Sequence, residues 1–175
     1  SDLSYANIYL RSMKNIELKD LFGGNCYHIC TNGQETPTII MDMEDYRVAT
    51  NYLALAAWKT GIEILVYIIM SNHIHILVVC NDRSLAIKYI RLFKRLYSTH
   101  LLHKYNMSDA LRGIEDSISL IDSVSYFRNC VAYILRNALC AKICRRIEDY
   151  PWCSYQCYFN NKFKTKFKPI FYLPI

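Results

Sequence analysis

The sequence predicts an α+β fold in which helices pack on one antiparallel sheet. Two apolar runs joined at Ser71-Asn72 form a candidate hairpin over residues 63–80. Helical patterns flank this hairpin, and further strands are predicted at residues 25–31 and 117–120. The resulting order of β, α, β, β, α, β and α favours a sandwich of the ferredoxin-like kind.

The composition fits one folded domain with a polyanionic partner. The chain has 175 residues, and a hydrophobic content of 53% is too high for a disordered chain. A formal net charge of +6, from 21 basic and 15 acidic residues, is consistent with a polyanion partner. The longest apolar run, residues 62–70, is too short to cross a bilayer. We find no signal-peptide pattern and expect a soluble, cytoplasmic protein.

We divide the chain into an N-terminal extension of residues 1–24, a body of residues 25–159 and a basic tail of residues 160–175. The extension contains no convincing element, although residues 18–22 could pack on the body. The tail contains KFKTKFK, whose lysines would lie on one side of a strand. Two interpretations of the tail stay open, a soluble terminus and a phosphate-binding edge.

Polar caps and apolar spacing predict the helices on either side of the hairpin. The first helix spans residues 42–60, with Asp42 as its N-cap and Gly61 at its end. The second runs from about residue 85 to residue 104, with Asp82 or Ser84 as its N-cap. Its exposed side is basic and lacks acidic partners altogether, so we predict contact with phosphates. The basic side chains are Lys88, Arg91, Lys94, Arg95 and Lys104.

A third long helix places two polar side chains on one face. It begins at Asp122 or Ser123 and runs to about residue 143 without glycine or proline. Tyr133 and Asn137 are four residues apart, so they lie one above the other.

The second strand of the hairpin begins with two histidines on one side of the sheet. Strand side chains alternate, so His73 and His75 point the same way and Ile74 points the other way. Two imidazoles on an apolar element favour a metal site, because burying them without a shared partner is costly. The alternative is a pair of hydrogen-bonded core histidines. His28, on the strand at residues 25–31, is a third imidazole of interest, for which a structural role is equally consistent.

The eight cysteines are expected to be free, buried thiols, because most lie in apolar segments and no secretory signal is found. They are Cys26, Cys30, Cys80, Cys130, Cys140, Cys144, Cys153 and Cys157. The last four repeat an i, i+4 spacing, so a structural zinc site is a less favoured alternative.

Four segments together resemble the single-tyrosine HUH transposases, and in particular the branch of REP-associated tyrosine transposases. VYIIMSNHIHILV resembles the segment around the family's His-hydrophobe-His motif, and AYILRNALCAKI resembles the helix with the nucleophilic tyrosine. YHICTNG looks like the first strand of the family, and DYPWCSY resembles a segment typical of that branch. The segments occur in the family's order. Ser71 and Ala138 stand where the family usually has proline.

The resemblance implies an HUH sandwich that cleaves and rejoins single-stranded DNA through a 5′-phosphotyrosine. Tyr133 would be the nucleophile, and His73, His75 and Asn137 would bind Mg²⁺ or Mn²⁺. The DNA would carry a hairpin or palindrome, and the protein would act in bacteria at the nucleoid. Arg136 and Lys142 are further candidates for phosphate contact. Both shared-site dimers and monomers occur among such enzymes, and we expect a homodimer.

Several alternatives stay open. Tyr97 lies in the basic helix and Tyr126 lies seven residues before Tyr133, so both are rival tyrosines. The protein could also be a domesticated nuclease for palindromes, or a single-stranded nucleic-acid binder without catalysis. A metal-dependent phosphodiesterase that uses water is another alternative. The last two require Tyr133 to lie far from His73 and His75.

Overall fold

A computed structural model of the protein describes residues 18–31 and 38–159. Within these residues a four-stranded antiparallel sheet has the order β2-β3-β1-β4. The strands are β1 (Asn25–Thr31), β2 (Glu63–Ile69), β3 (Ile74–Cys80) and β4 (Asp116–Ile121). The helices are α1 (Leu18–Phe22), α2 (Met43–Thr60), α3 (Arg83–Tyr105), α4 (Val124–Cys140) and α5 (Tyr155–Phe159). This order confirms the predicted α+β, ferredoxin-like architecture.

The helices begin and end where local chemistry dictates. Asp42 caps α2 in a capping box with Asp45, and Gly61 ends it with φ of 70°. Asp82, rather than Ser84, accepts the capping hydrogen bond of α3. Ser123, rather than Asp122, accepts that of α4.

The alternation along β3 sorts the core into two layers on opposite faces of the sheet. Ile74, Ile76 and Val78 pack with α2 and α3 in one layer. Leu77 and Val79 pack in the other layer with the buried side of α4. Because His75 alternates with Ile74 and Ile76, it lies on the α4 side.

The aromatic segment DYPWCSY, which follows α4, packs against β2. The Ile69 amide donates to the Trp152 carbonyl oxygen at 2.9 Å, and the Tyr150 hydroxyl donates to the Ile69 carbonyl oxygen. Trp152 also stacks on Tyr46 of α2, with ring centroids 4.8 Å apart. The DYPWCSY segment therefore fixes the end of the strand that leads into the histidine turn.

The expectation that residues 18–22 pack on the body is confirmed, and they form the short helix α1. Leu18 is buried, and the Phe22 ring lies 5.1 Å from the Phe127 ring. The predictions for the rest of the extension and for the basic tail concern residues 1–17 and 160–175, which lie outside the described residues.

The basic side of α3 is only partly free, so the expectation that it lacks acidic partners is wrong for two lysines. Lys94 forms an ion pair with Asp116 of β4 at 2.8 Å. Lys104 forms ion pairs with the acidic residues at the start of α2, Asp42, Glu44 and Asp45. The partners come from distant segments, which an inspection of the helix alone could not find. Lys88, Arg91 and Arg95 are exposed.

All eight cysteines are free thiols. Among the described residues, no three His, Cys, Asp or Glu side chains cluster closely enough to bind a metal, so the four-cysteine zinc site does not form. No helix within the described residues has the length and hydropathy of a transmembrane segment.

Candidate active site

The site lies where β1 and β3 run side by side beneath α4. Cys30 of β1 is paired with His75 of β3, and His28 is two residues before Cys30. Since alternate residues share a face, His28, Cys30 and His75 all lie on the side covered by α4. His73 stands in the turn just before β3, and its ring meets that of His75 edge to face, with centroids 5.0 Å apart.

His73 has an oxygen atom opposite each of its ring nitrogens. Its Nδ1 lies 2.8 Å from Asn72 Oδ1, and its Nε2 lies 3.2 Å from Asn137 Oδ1. Burial lowers the pKa of His73, although the contact with Asn137 opposes this shift, so the imidazole is neutral at pH 7. A neutral imidazole has a single N–H. The shorter contact is the one to Asn72, and a proton on Nδ1 would leave the Nε2 lone pair facing the amide oxygen of Asn137.

Two electron-pair donors that face each other fit a shared cation. Neighbouring ligands that each lie about 2.1 Å from an octahedral ion are about 3 Å apart, which is close to the separation of His73 Nε2 and Asn137 Oδ1. With His75 beside them, the donor set would be two neutral imidazoles and one amide oxygen. These residues fit a divalent metal ion.

His75 is the more buried imidazole of the pair and is neutral. It is 3% exposed, and burial together with the nearby His28 and His73 lowers its pKa to about 3. Its Nδ1 lies 3.1 Å from His28 Nε2, and its Nε2 lies 3.9 Å from Cys30 Sγ. Burial raises the pKa of Cys30 to about 11, with Asp116 adding to the shift, and the neutral thiol donates to the Thr31 carbonyl oxygen.

Tyr133 projects from α4 onto these histidines within a single chain. Its ring meets His75 edge to face with centroids 5.2 Å apart, and it meets His28 at 6.3 Å. The Tyr133 side chain is 55% exposed, so one side is open to a substrate. Asn137 follows one turn later, so one helix brings a phenol and an amide to the imidazoles.

The rival tyrosines differ from Tyr133 in their surroundings. Tyr97 is completely buried, and its hydroxyl donates to the Ile39 carbonyl oxygen at 2.8 Å. Burial also raises the pKa of Tyr97, so its candidacy for DNA contact or catalysis is wrong. Tyr126 is exposed on α4, but it precedes Tyr133 by seven residues, or about 10 Å along the helix.

The predicted phosphate-binding residues fall on different sides of the molecule. Arg136 and Lys142 are exposed, Arg136 one turn after Tyr133 on α4 and Lys142 just beyond the helix. Lys88, Arg91, Lys94 and Arg95 lie on α3, which packs on the opposite face of the sheet. Lys88, Arg91 and Arg95 line an open groove of about 610 Å³.

No definite role in this site could be predicted from the sequence for His28 and Cys30. Their spacing placed them on one face of β1, but nothing local showed that this face joins His75. The register of β1 against β3 connects positions 45 and 47 apart in the chain and exists only in the folded sheet.

Comparison with solved structures identifies the class of fold. The protein has the fold of a REP-associated tyrosine transposase solved bound to a REP hairpin. The TM-score is 0.60 at 15% sequence identity, and the alignment covers 87% of each chain. The resemblance predicted from the motifs is thus confirmed at the level of the fold.

A second similar structure belongs to a candidate transposase of Deinococcus radiodurans. It has a TM-score of 0.46 and 14% identity over 68% of this chain and 89% of that one. The sequence matches no protein-family model and no curated protein.

Proposed function

We propose that the protein is a single-tyrosine DNA transposase or strand-transferase that cleaves and rejoins single-stranded DNA through a 5′-phosphotyrosine. The observation that carries the proposal is the position of Tyr133. Its ring contacts His75 while Asn137, on the same helix, faces His73. The transposase fold is consistent with this function.

Tyrosine suits a reversible strand transfer because its phenoxide is both a nucleophile and a leaving group. In the proposed step the Tyr133 oxygen forms a bond to phosphorus while the bond from phosphorus to the 3′ oxygen breaks. The phenol releases its proton to solvent, and the departing 3′ oxygen takes one up. Attack by the 3′-hydroxyl of another strand reverses the step, so the bond energy is conserved and no nucleotide cofactor is required.

The imidazoles and the amide are proposed to hold the metal and to leave its charge available to the DNA. Mg²⁺ or Mn²⁺ bound by His73, His75 and Asn137 would supply Lewis-acid polarisation of the scissile phosphate. None of the three side chains carries a negative charge, since the histidines are neutral and Asn137 is an amide. Arg136, exposed one turn beyond Tyr133, is proposed to bind a phosphate next to the one under attack.

The proposed substrate is a single strand beside a hairpin, as the REP hairpin in the similar structure suggests. The exposed edge of Tyr133 leaves room for a strand on the α4 side. Since the tyrosine and histidines meet in one chain, the site we propose does not require a residue from a second copy.

The proposal predicts a covalent protein–DNA adduct that depends on Tyr133. A labelled hairpin-containing single strand is incubated with the protein and Mn²⁺ and run on a denaturing gel. We expect an adduct with the unmodified protein, none with Tyr133→Phe, and an undiminished one with Tyr126→Phe, the control on the same helix. Cleavage that persists in Tyr133→Phe without an adduct would indicate a hydrolase, and binding without cleavage would indicate a binding module. Either result contradicts the proposal.

A further inference from the structure

We infer that His28 is a positioning residue for His75. It accepts a hydrogen bond from His75 Nδ1 and so keeps the Nε2 lone pair of His75 available to a metal ion. The inference deepens the proposed function and rests on it for its catalytic consequence, whereas the hydrogen bond itself can be tested in the protein alone.

In both His73 and His75, the Nδ1 atom lies within hydrogen-bonding distance of a partner side chain. Asn72 Oδ1 lies 2.8 Å from Nδ1 of His73, and His28 Nε2 lies 3.1 Å from Nδ1 of His75. A proton at Nδ1 leaves Nε2 as the free electron-pair donor. The two contacts therefore give both imidazoles the same tautomer, although one partner is an amide and the other a histidine.

The surroundings of His75 select the direction of its hydrogen bond with His28. If His28 Nε2 were the donor, His75 would carry its own proton on Nε2. The near group there is Cys30 Sγ at 3.9 Å, and sulfur is a weak acceptor. A buried N–H would then lack a good partner, which is unfavourable. The reverse direction avoids this, because a nitrogen of His28 is a strong acceptor.

The His28 ring also fixes the orientation of the site through packing. It lies nearly parallel to the His75 ring, with an interplanar angle of 18° and centroids 5.2 Å apart. It meets Tyr133 nearly at right angles, with an interplanar angle of 80°. His28 is half-buried on β1, whose backbone is paired on both sides by β3 and β4. A rigid central strand therefore holds the imidazole that touches both a proposed ligand and the proposed nucleophile.

Two substitutions distinguish the hydrogen-bonding role of the His28 nitrogen from the packing role of its ring. His28→Phe keeps an aromatic ring that can pack against Tyr133 and removes the acceptor, whereas His28→Gln keeps a polar group at the reach of Nε2. Asn72→Ala is the matched control, since it acts on His73. Circular dichroism and thermal unfolding establish that each variant is folded.

The first measurement is the tautomer of each histidine in the metal-free protein, by ¹⁵N NMR of the imidazole nitrogens. We expect Nδ1 to carry the proton in both His73 and His75. His28→Phe should remove this preference at His75 alone, His28→Gln should retain it, and Asn72→Ala should change His73 alone. A proton on Nε2 of His75 in the unmodified protein would overturn the inference.

The second measurement is Mn²⁺ affinity, by electron paramagnetic resonance without DNA. Removing a partner that orients a metal-bound histidine weakens binding by about 10- to 100-fold, and we expect this for His28→Phe. His28→Gln should bind Mn²⁺ nearly as the unmodified protein does. Equal affinity and equal tautomers in His28→Phe would refute the role of His28. Failure of the unmodified protein to form a DNA adduct would instead refute the proposed function, and it would leave the tautomer result standing.

Discussion

At the scale of single residues, the site depends on where lone pairs point. His73 has an oxygen beside each ring nitrogen but has only one proton to share between them. Protonation would satisfy both contacts, but burial lowers the pKa of His73 and opposes it. In the proposed function, a cation between His73 Nε2 and Asn137 Oδ1 would resolve the conflict.

Asn137 gives a prediction at this scale. Asn137→Leu removes the amide oxygen while keeping a similar volume, and we expect Mn²⁺ affinity to fall at least about 10-fold. Asn137→Asp retains an oxygen at the same place, so binding should persist while adduct formation slows, because the added negative charge opposes the phosphate. Isothermal titration with Mn²⁺ and the adduct assay measure the two effects.

The control for this prediction is Asn129→Leu, since Asn129 is an exposed asparagine on the same helix. Asn129→Leu should leave both the Mn²⁺ affinity and the rate of adduct formation unchanged. If Asn137→Leu bound Mn²⁺ as tightly as the unmodified protein, Asn137 would not be a ligand.

At the scale of elements, a buried ionic cluster ties the start of α2 to the end of α3. Asp45 is fully buried and accepts hydrogen bonds from His100, Lys104 and Tyr105 of α3. It also accepts from the backbone amides of Met41 and Asp42, completing the capping box. Burial alone would raise the pKa of Asp45, but these hydrogen bonds together outweigh it and hold the pKa well below its usual range.

The cluster predicts a dependence of stability on pH. Because the pKa of Asp45 is lower in the folded state, its contribution to stability is full above the unfolded pKa of about 3.9 and declines as pH falls below that value. At pH 7, Asp45→Asn should lower the free energy of unfolding by about 3 kcal/mol, since charged partners lose their counter-charge. The difference in the free energy of unfolding between Asp45→Asn and the unmodified protein should be smaller in acid. Urea unfolding at pH 7 and near pH 3 measures this difference.

Glu44→Gln provides the comparison, because Glu44 pairs with the same Lys104 but its side chain is 65% exposed. Its effect at pH 7 should not exceed about 1 kcal/mol. An Asp45→Asn variant as stable as the unmodified protein at pH 7 would show that the cluster contributes no net stability.

At the scale of the whole molecule, the sheet separates two polar surfaces. The histidines, Tyr133 and Arg136 lie on the α4 side, whereas Lys88, Arg91 and Arg95 lie on α3 on the other side. A strand bound at Tyr133 reaches the α3 surface only by passing around an edge of the sheet. DNA affinity and strand cleavage should therefore be separable by mutation.

The prediction is tested with the triple substitution of Lys88, Arg91 and Arg95 to Gln. If these side chains bind phosphates, DNA affinity should fall, and each lost contact should reduce the slope of log affinity against log salt by about 0.7. The rate of adduct formation at saturating DNA should stay the same. Fluorescence anisotropy over a range of salt concentrations gives the slope. An unchanged slope would show that Lys88, Arg91 and Arg95 are exposed to solvent and do not bind DNA phosphates.

Much of the fold and part of the site could be predicted because they depend on local patterns. Asp42, Asp82 and Ser123 cap helices through their own side chains, so a short stretch of sequence reveals them. Strand and helix periods likewise placed His73 beside His75 and Tyr133 beside Asn137 on shared faces. The roles of these residues in catalysis stay predictions.

The arrangement of distant segments could not be predicted in the same way. Lys94 and Arg95 look alike as basic residues on the exposed side of one helix, yet Lys94 is paired with Asp116 and Arg95 is exposed. Which basic residues of a helix form ion pairs depends on neighbours that come from elsewhere in the chain.

By itself, then, the sequence determined the elements, their order and the two local pairs, since backbone period and capping act over a few residues. Tertiary structure alone decided that His28 meets His75, that α4 brings both pairs together and that the basic helix lies behind the sheet. The physical reason is that strand register and helix layering are set by burial over the whole core, which no single segment encodes.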